Sequence, residues 1–141
     1  MEKQRKFFII LVIILFLLMI VGIFYHFMNK RTYKLNLPQL DNLKSISLEQ
    51  NANGKVISDN GEMKDIISSL NGKERATKEE SIQDHPVNTT NEVKVDFNFK
   101  ETGASTLFIY EKNNKYYIEQ PYNGIYRISE DEYNSIEKYI K

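Results

Sequence analysis

The chain opens on one unbroken apolar run and then changes period. Residues 7–28 carry no charged side chain. As a helix rising ~1.5 Å per residue they span ~33 Å, enough for the ~30 Å hydrocarbon core of a bilayer. A single helix also satisfies its own backbone polar groups there. A helix lying on a soluble core would show a polar stripe, and none interrupts this run before Tyr25 and His26. Downstream, Ile46 and Leu48 share one face of residues 44–50. Asn53-Gly54 gives a tight turn and residues 55–58 return, which predicts a β-hairpin. Met63, Ile66, Ile67 and Leu70 fall at helical spacing behind Asp59 or Asn60 as cap, and Asn71-Gly72 closes that helix.

Residues 73–91 are polar, with Ala76, Ile82 and Val87 as anchors. Loops this long are uncommon in a compact domain, and an irregular edge strand is expected between residues 76 and 82. Residues 92–100 then alternate without a break: Val93, Val95, Phe97 and Phe99 on one face, Lys94, Asp96, Asn98 and Lys100 on the other. Strands follow at 106–111, 115–119 and 125–128, joined by turns at Thr102-Gly103, Asn113-Asn114 and Pro121 to Gly124. Ser129-Glu130-Asp131-Glu132 is a capping box, and Tyr133, Ile136 and Ile140 line the helix it opens.

The predicted order is β-β-α-loop-β-β-β-β-α after the span. The fold class is α+β: an N-terminal single transmembrane helix followed by a small antiparallel sheet with two amphipathic helices. The expected boundaries are a cytoplasmic tail at 1–6, a signal anchor at 7–28, a juxtamembrane linker at 29–42 and an extracytoplasmic domain at 43–141. With Thr102-Gly103 as a two-residue turn, Phe97 faces Phe108 and Val95 faces Tyr110. A one-residue slip exchanges the two faces. Either register leaves the middle of the sheet apolar on both sides, and helices are expected to cover both.

Composition narrows the function classes. The 141-residue chain has 19 basic and 19 acidic side chains. The tail and span hold three and one of these, so the remainder has a net charge of −2. Such a balance offers no basic face to a nucleic acid. The chain has no cysteine, which excludes disulfides, thiol catalysis, thiolate zinc sites and a lipidated cysteine. Lys3, Arg5 and Lys6 precede the span and Lys30, Arg31 and Lys34 follow it, so the positive-inside rule nearly balances. The short basic tail resembles the start of an export signal. It places the N-terminus in the cytoplasm, the domain outside and the bilayer around residues 7–28.

Little here points to catalysis. Asp84-His85 with Glu79 and Glu80 lies in a polar loop without metal-ligand spacing, and His85 is the one histidine beyond the span. His26, near the end of the span, reads as an interfacial residue. No metal and no cofactor is expected. Tyrosine is in surplus, with seven of nine between Tyr110 and Tyr139. It supplies rigid contact area plus a hydroxyl. Tyr122, Tyr126 and Tyr117 are the candidate partner contacts, for an envelope protein, a peptide or a glycan. The reading is a non-enzymatic binding or regulatory module. An accessory subunit acting through its span, or an envelope hydrolase using His85 with Asp84 or Glu80, stand as alternatives.

Three strings carry a resemblance: Asn71-Gly72-Lys73-Glu74-Arg75; Lys94-Val95-Asp96-Phe97-Asn98-Phe99; and residues 115–126, which contain Gln120-Pro121-Tyr122-Asn123-Gly124-Ile125-Tyr126. Together they resemble domain of unknown function 5301, a family of Gram-positive bacteria found behind a membrane or lipoprotein signal. The resemblance implies an anchored extracytoplasmic domain. It implies no activity and no catalytic residues.

Overall fold

The computed structural model describes residues 1–28, 31–72 and 74–141. Asn29 and Lys30, which open the expected linker, and Lys73, which opens the expected polar loop, lie outside the described residues. The chain divides into two units, Met1–Arg31 and Thr32–Lys141.

The first unit is one helix, α1 (Glu2–Met28), which also takes in the expected tail. Lys6 pairs with Glu2 at 3.0 Å, one turn back. No residue of α1 is buried, and its apolar side chains are exposed all round. By length and composition it is long enough to cross a membrane, a test that a signal sequence also meets.

In the second unit, β2 (Leu43–Gln50) and β3 (Asn53–Ile57) form a hairpin ahead of α2 (Asn60–Asn71). Strands β5 (Thr90–Phe99), β6 (Ala104–Lys112), β7 (Lys115–Glu119) and β8 (Ile125–Ile128) then run as a meander into α3 (Glu130–Glu137). The six strands make one antiparallel sheet in the order β3-β2-β5-β6-β7-β8. Two short strands, β1 (Tyr33–Lys34) and β4 (Ala76–Thr77), pair apart from it. The class is the expected α+β.

Three details depart from expectation. The hairpin turns at Asn51-Ala52, with Asn51 at φ +55°, and not at Asn53-Gly54. That register sets Ile57 opposite Ile46, where both are buried; a turn at Asn53-Gly54 would set Ile57 opposite Gln50, past the apolar part of β2. Between β5 and β6, the Phe99 N–H donates to the Gly103 carbonyl at 3.1 Å, and Gly103 sits at φ +88°. The loop is therefore Lys100-Glu101-Thr102, and Val95 faces Leu107 while Phe97 faces Ser105. The odd shift exchanges the faces. Leu107 and Ile109 join Val93, Val95 and Phe97 inside, while Phe108 and Tyr110 turn to the far side. Lastly, both helices lie on the same face. Met63, Ile66 and Leu70 of α2 and Tyr133 and Ile136 of α3 share one core with Ile46, Leu48, Ile109, Ile118 and Ile128. The far face is covered over Phe108 and Tyr110 by residues 78–91 instead.

One side chain joins the two helices. Arg75 donates from Nε to the Leu70 carbonyl at the end of α2 and from Nη2 to Glu132 at 2.5 Å, at the start of α3. Glu132 also closes the capping box on Ser129. Burial works against its ionisation. The Arg75 guanidinium and the Ser129 N–H outweigh that and hold the carboxyl below its ordinary value. A group whose pKa is lower in the folded state adds stability above its unfolded value, and loses it as pH falls through the folded one. Urea midpoints of the full chain in detergent should therefore fall as pH drops below about 4.5. Glu132→Gln should remove part of that fall; an identical pH profile in the variant would refute the assignment. Arg75→Ala should cost about 1–3 kcal/mol at pH 7, because it orphans a carbonyl and a carboxylate together.

Candidate functional site

The turn between β7 and β8 is tied by backbone and side-chain hydrogen bonds together. Asn123 N–H donates to the Gln120 carbonyl at 3.0 Å, closing a four-residue turn with Pro121 and Tyr122 at its centre. Proline fixes its own φ near −65°, and Tyr122 has φ +57°. That combination is a type II turn, whose third position ordinarily takes glycine or asparagine. A tyrosine there costs about 1–3 kcal/mol and persists because its surroundings hold it.

The holding groups can be named. Asn123 Nδ2 lies 2.9 Å from the Tyr126 hydroxyl, 2.7 Å from Gln120 Oε1 and 2.7 Å from the Lys34 carbonyl, so two hydrogens serve three acceptors. Gln120 N–H donates to the Gly124 carbonyl at 3.0 Å. The Gln120 side chain is itself buried. It accepts from Asn36 N–H at 2.9 Å and donates to the Asn36 carbonyl at 2.8 Å. The segment expected as a linker is thus part of the domain from Tyr33 onward. A shallow depression of about 670 Å³ lies at this joint, lined by Lys34, Leu35, Asn36, Gln120, Tyr122 and Asn123.

Beside the turn, residues 78–91 run as a strap over the far face of the sheet. Glu80 bridges to Gly124, Ser81 N–H donates to the Asn123 carbonyl, and Ile125 N–H donates to the Glu79 carbonyl. Beneath the strap the buried Glu119 carboxylate accepts from Ser81 Oγ at 2.6 Å and from the Tyr110 hydroxyl at 2.8 Å. Burial, then the bond to Glu119, pushes the Tyr110 hydroxyl well above its usual pKa. Further along, the His85 ring meets Phe108 edge-on with centroids 4.7 Å apart.

The three candidate tyrosines separate. Tyr122 is 67 % exposed, and its hydroxyl donates to Asp84 Oδ1 at 2.5 Å. That bond, more than burial, raises its pKa. Tyr117 is half-buried and stacks on Tyr110 with centroids 5.7 Å apart. Tyr126 is 1 % exposed and sits in the core. Burial lifts its hydroxyl to about 12. Tyr126 is therefore not a surface contact; it positions the turn that carries Tyr122.

The candidate acid–base set is not assembled. His85 Nδ1 faces the Pro86 carbonyl at 2.9 Å and Nε2 faces Glu92 at 2.8 Å, while Asp84 is engaged by Tyr122. Among the described residues no three His, Asp or Glu side chains gather to hold a metal ion.

The large apolar side chains exposed on the described domain are Val56, Ile82, Val87 and Tyr122. Three of the four belong to the strap and the turn it rests on. Ala76, Ile82 and Val87, expected as apolar anchors of the polar loop, are all exposed, and Ser81 anchors it from a buried position. The roles of Gln120 and Asn123 as the holding pair have no counterpart in the sequence-based expectation. An asparagine inside a Pro-x-Asn-Gly turn, able to bond its own backbone surroundings, was the available signal.

The family model DUF5301, described as a domain of unknown function (DUF5300), matches residues 31–127. The chain belongs to this family. Neither the comparison with curated proteins nor that with solved structures gives a match. The DUF5301 region begins just ahead of β1, so the docked segment falls inside it together with the strap and the Tyr122 turn.

Two substitutions separate strain from packing in this turn. Tyr122→Asn keeps the positive φ at lower cost and should raise the stability of the full chain by up to about 1 kcal/mol. A Cβ on Gly124 would stand 2.7 Å from Thr77 Cγ2 and 2.9 Å from the Tyr126 hydroxyl. Gly124→Ala should therefore destabilise by about 1–3 kcal/mol. Thermal melts in detergent measure both; a destabilised Tyr122→Asn would mean that the tyrosine supports the fold.

Proposed function

We propose that the chain is a membrane-tethered, non-enzymatic binding module, anchored by α1 with its N-terminus in the cytoplasm and its domain at the outer face. In this reading the strap and the Tyr122 turn are the contact face. The observation that carries it is Tyr122, a large aromatic ring kept in solvent at an unfavourable φ by a fully bonded frame. Ile82 and Val87 add exposed apolar area on the adjoining strap. Aromatic anchors with apolar neighbours are what protein interfaces concentrate their energy in. The uniform apolar surface of α1 favours lipid around it, since a helix on a soluble core keeps a polar side. The separate engagement of His85 and Asp84 favours binding over hydrolysis.

The test is affinity capture from detergent-solubilised envelope, with the full-length chain as bait and Tyr122→Asn and Ile82→Ser as controls. One discrete partner should be retained by the wild type and reduced at least tenfold by either control, each bait remaining folded by its melting curve. An unchanged partner list in both controls would refute the face. A partner lost only when α1 is exchanged for an unrelated span would assign the role to the helix.

A further inference from the structure

The segment that leads from α1 into the domain is held as a bound peptide is held. Tyr33 and Lys34 pair with Thr77 and Ala76 as a two-residue antiparallel strand outside the main sheet. Beyond it, Leu35 N–H donates to the Arg75 carbonyl at 3.0 Å. Asn123 reads the Lys34 carbonyl, and the buried Gln120 amide reads both the N–H and the carbonyl of Asn36. Each of these contacts is to backbone. Leu35 and Leu37, two apart on an extended chain, pack against the edge of the core. Main-chain bonds for affinity and alternate side chains for specificity are the two halves of recognition by strand addition.

A clasp of this kind accepts any copy of its segment. One segment fits it in this structure, Tyr33-Lys34-Leu35-Asn36-Leu37, and every copy of the chain carries both segment and clasp. The segment is also a peripheral element, joined to β2 through Pro38 and a short helical turn (Leu40–Asn42). Exchange of such an element between identical chains reproduces every bond, so its free-energy cost is small. Tethering in one membrane raises the local concentration that drives it.

We propose that two copies of this chain exchange residues 33–37, each clasp holding the other copy's segment. Because Lys34, Leu35 and Asn36 line the depression beside Tyr122, each copy then supplies one wall of its partner's candidate site. The membrane tether of the proposed function provides the concentration; the Tyr122 contact plays no part in the exchange.

The absence of native cysteine allows a direct test in the full-length chain. Lys34 and Ala76 are opposed in the register and both exposed. Opposed strand residues fall within the Cα separation that a disulfide spans. Differently tagged Lys34→Cys and Ala76→Cys chains are co-expressed, and their isolated membranes are oxidised. Exchange should give a mixed-tag dimer on a non-reducing gel, at least three times the yield of a Lys34→Cys and Lys55→Cys pair, Lys55 being exposed on β3. Adding Gln120→Ala to both chains should bring the yield down to that control, while adding Tyr122→Asn should leave it unchanged. A yield no greater than the control pair in the Gln120 background and the wild-type background alike would overturn the proposal. A dimer lost with Tyr122→Asn and kept with Gln120→Ala would instead place the contact at the turn.

Discussion

A tyrosine hydroxyl in an apolar core must find a partner, because leaving it without one costs about 1–3 kcal/mol. Tyr126 is such a residue, and the constraint it sets spreads outward. Its ring fills the core beside Ile118, its cross-strand partner. Its hydroxyl reaches the rim, where Asn123 meets it. For Asn123 to do so, the chain after β7 must fold back within four residues. Gly124 must also pass so close to the hydroxyl that no side chain fits. That geometry puts Tyr122 at positive φ with its ring outward. The same asparagine and Gln120 then draw in residues 34–36, so the entering segment, the turn and the core are fixed together.

The sheet uses its two faces differently, and the difference creates the candidate site. One face takes both helices and most of the apolar side chains. On the other, β2 and β5 carry a ladder of small polar groups. Asn98 donates to Ser45 and Ser47, Thr106 donates to Asp96, and Lys94 pairs with Asp96. These groups satisfy one another and tolerate water. Toward β6 and β7 the same face becomes aromatic, with Phe108, Tyr110 and Tyr117, and cannot be left bare. A strap does what a third helix would do, but it is thin. It covers Phe108 and Tyr110 while leaving its own Ile82 and Val87 exposed. Buried Glu119, accepting from Ser81 and Tyr110, anchors it where backbone pairing alone would be sparse.

What could be read in the sequence followed from period and from local chemistry. The helix over Met63, Ile66 and Leu70, the capping box at Ser129 and the two-residue turn at Asn113-Asn114, with Tyr110 opposite Tyr117, rest on contacts between near neighbours in the chain. The registers at Asn51-Ala52 and at Lys100-Glu101-Thr102 do not. Each is decided by which apolar residue must face which across the sheet, and that overrides an Asn-Gly or Thr-Gly signal. The same holds for the strap and for the docked segment. The docked segment looks like a polar linker because it is held through its backbone groups, which leave no mark in residue type, and the strap does because its few side-chain bonds, such as Ser81 to Glu119, are made to residues far along the chain. The tyrosine surplus was visible, but the division of its members was not, since a strand presents core and surface tyrosines alternately.

Of the three strings that carry the family resemblance, Lys94 to Phe99 is the body of the central strand β5, and the other two are joints. Gly72 lets α2 end at positive φ, and Arg75 ties that end to α3. In the longest string Gln120 holds the entering segment, Pro121 presets the turn, Asn123 satisfies the core hydroxyl, Gly124 admits it and Tyr126 supplies it. Each of these identities follows from the packing around it. Tyr122 is the exception. The turn would be better served by glycine or asparagine, the ring is in solvent, and its one polar bond, to Asp84, is exposed to water and so adds little. A side chain that the fold disfavours, set in a frame that the fold builds with care, directs the functional question to that residue.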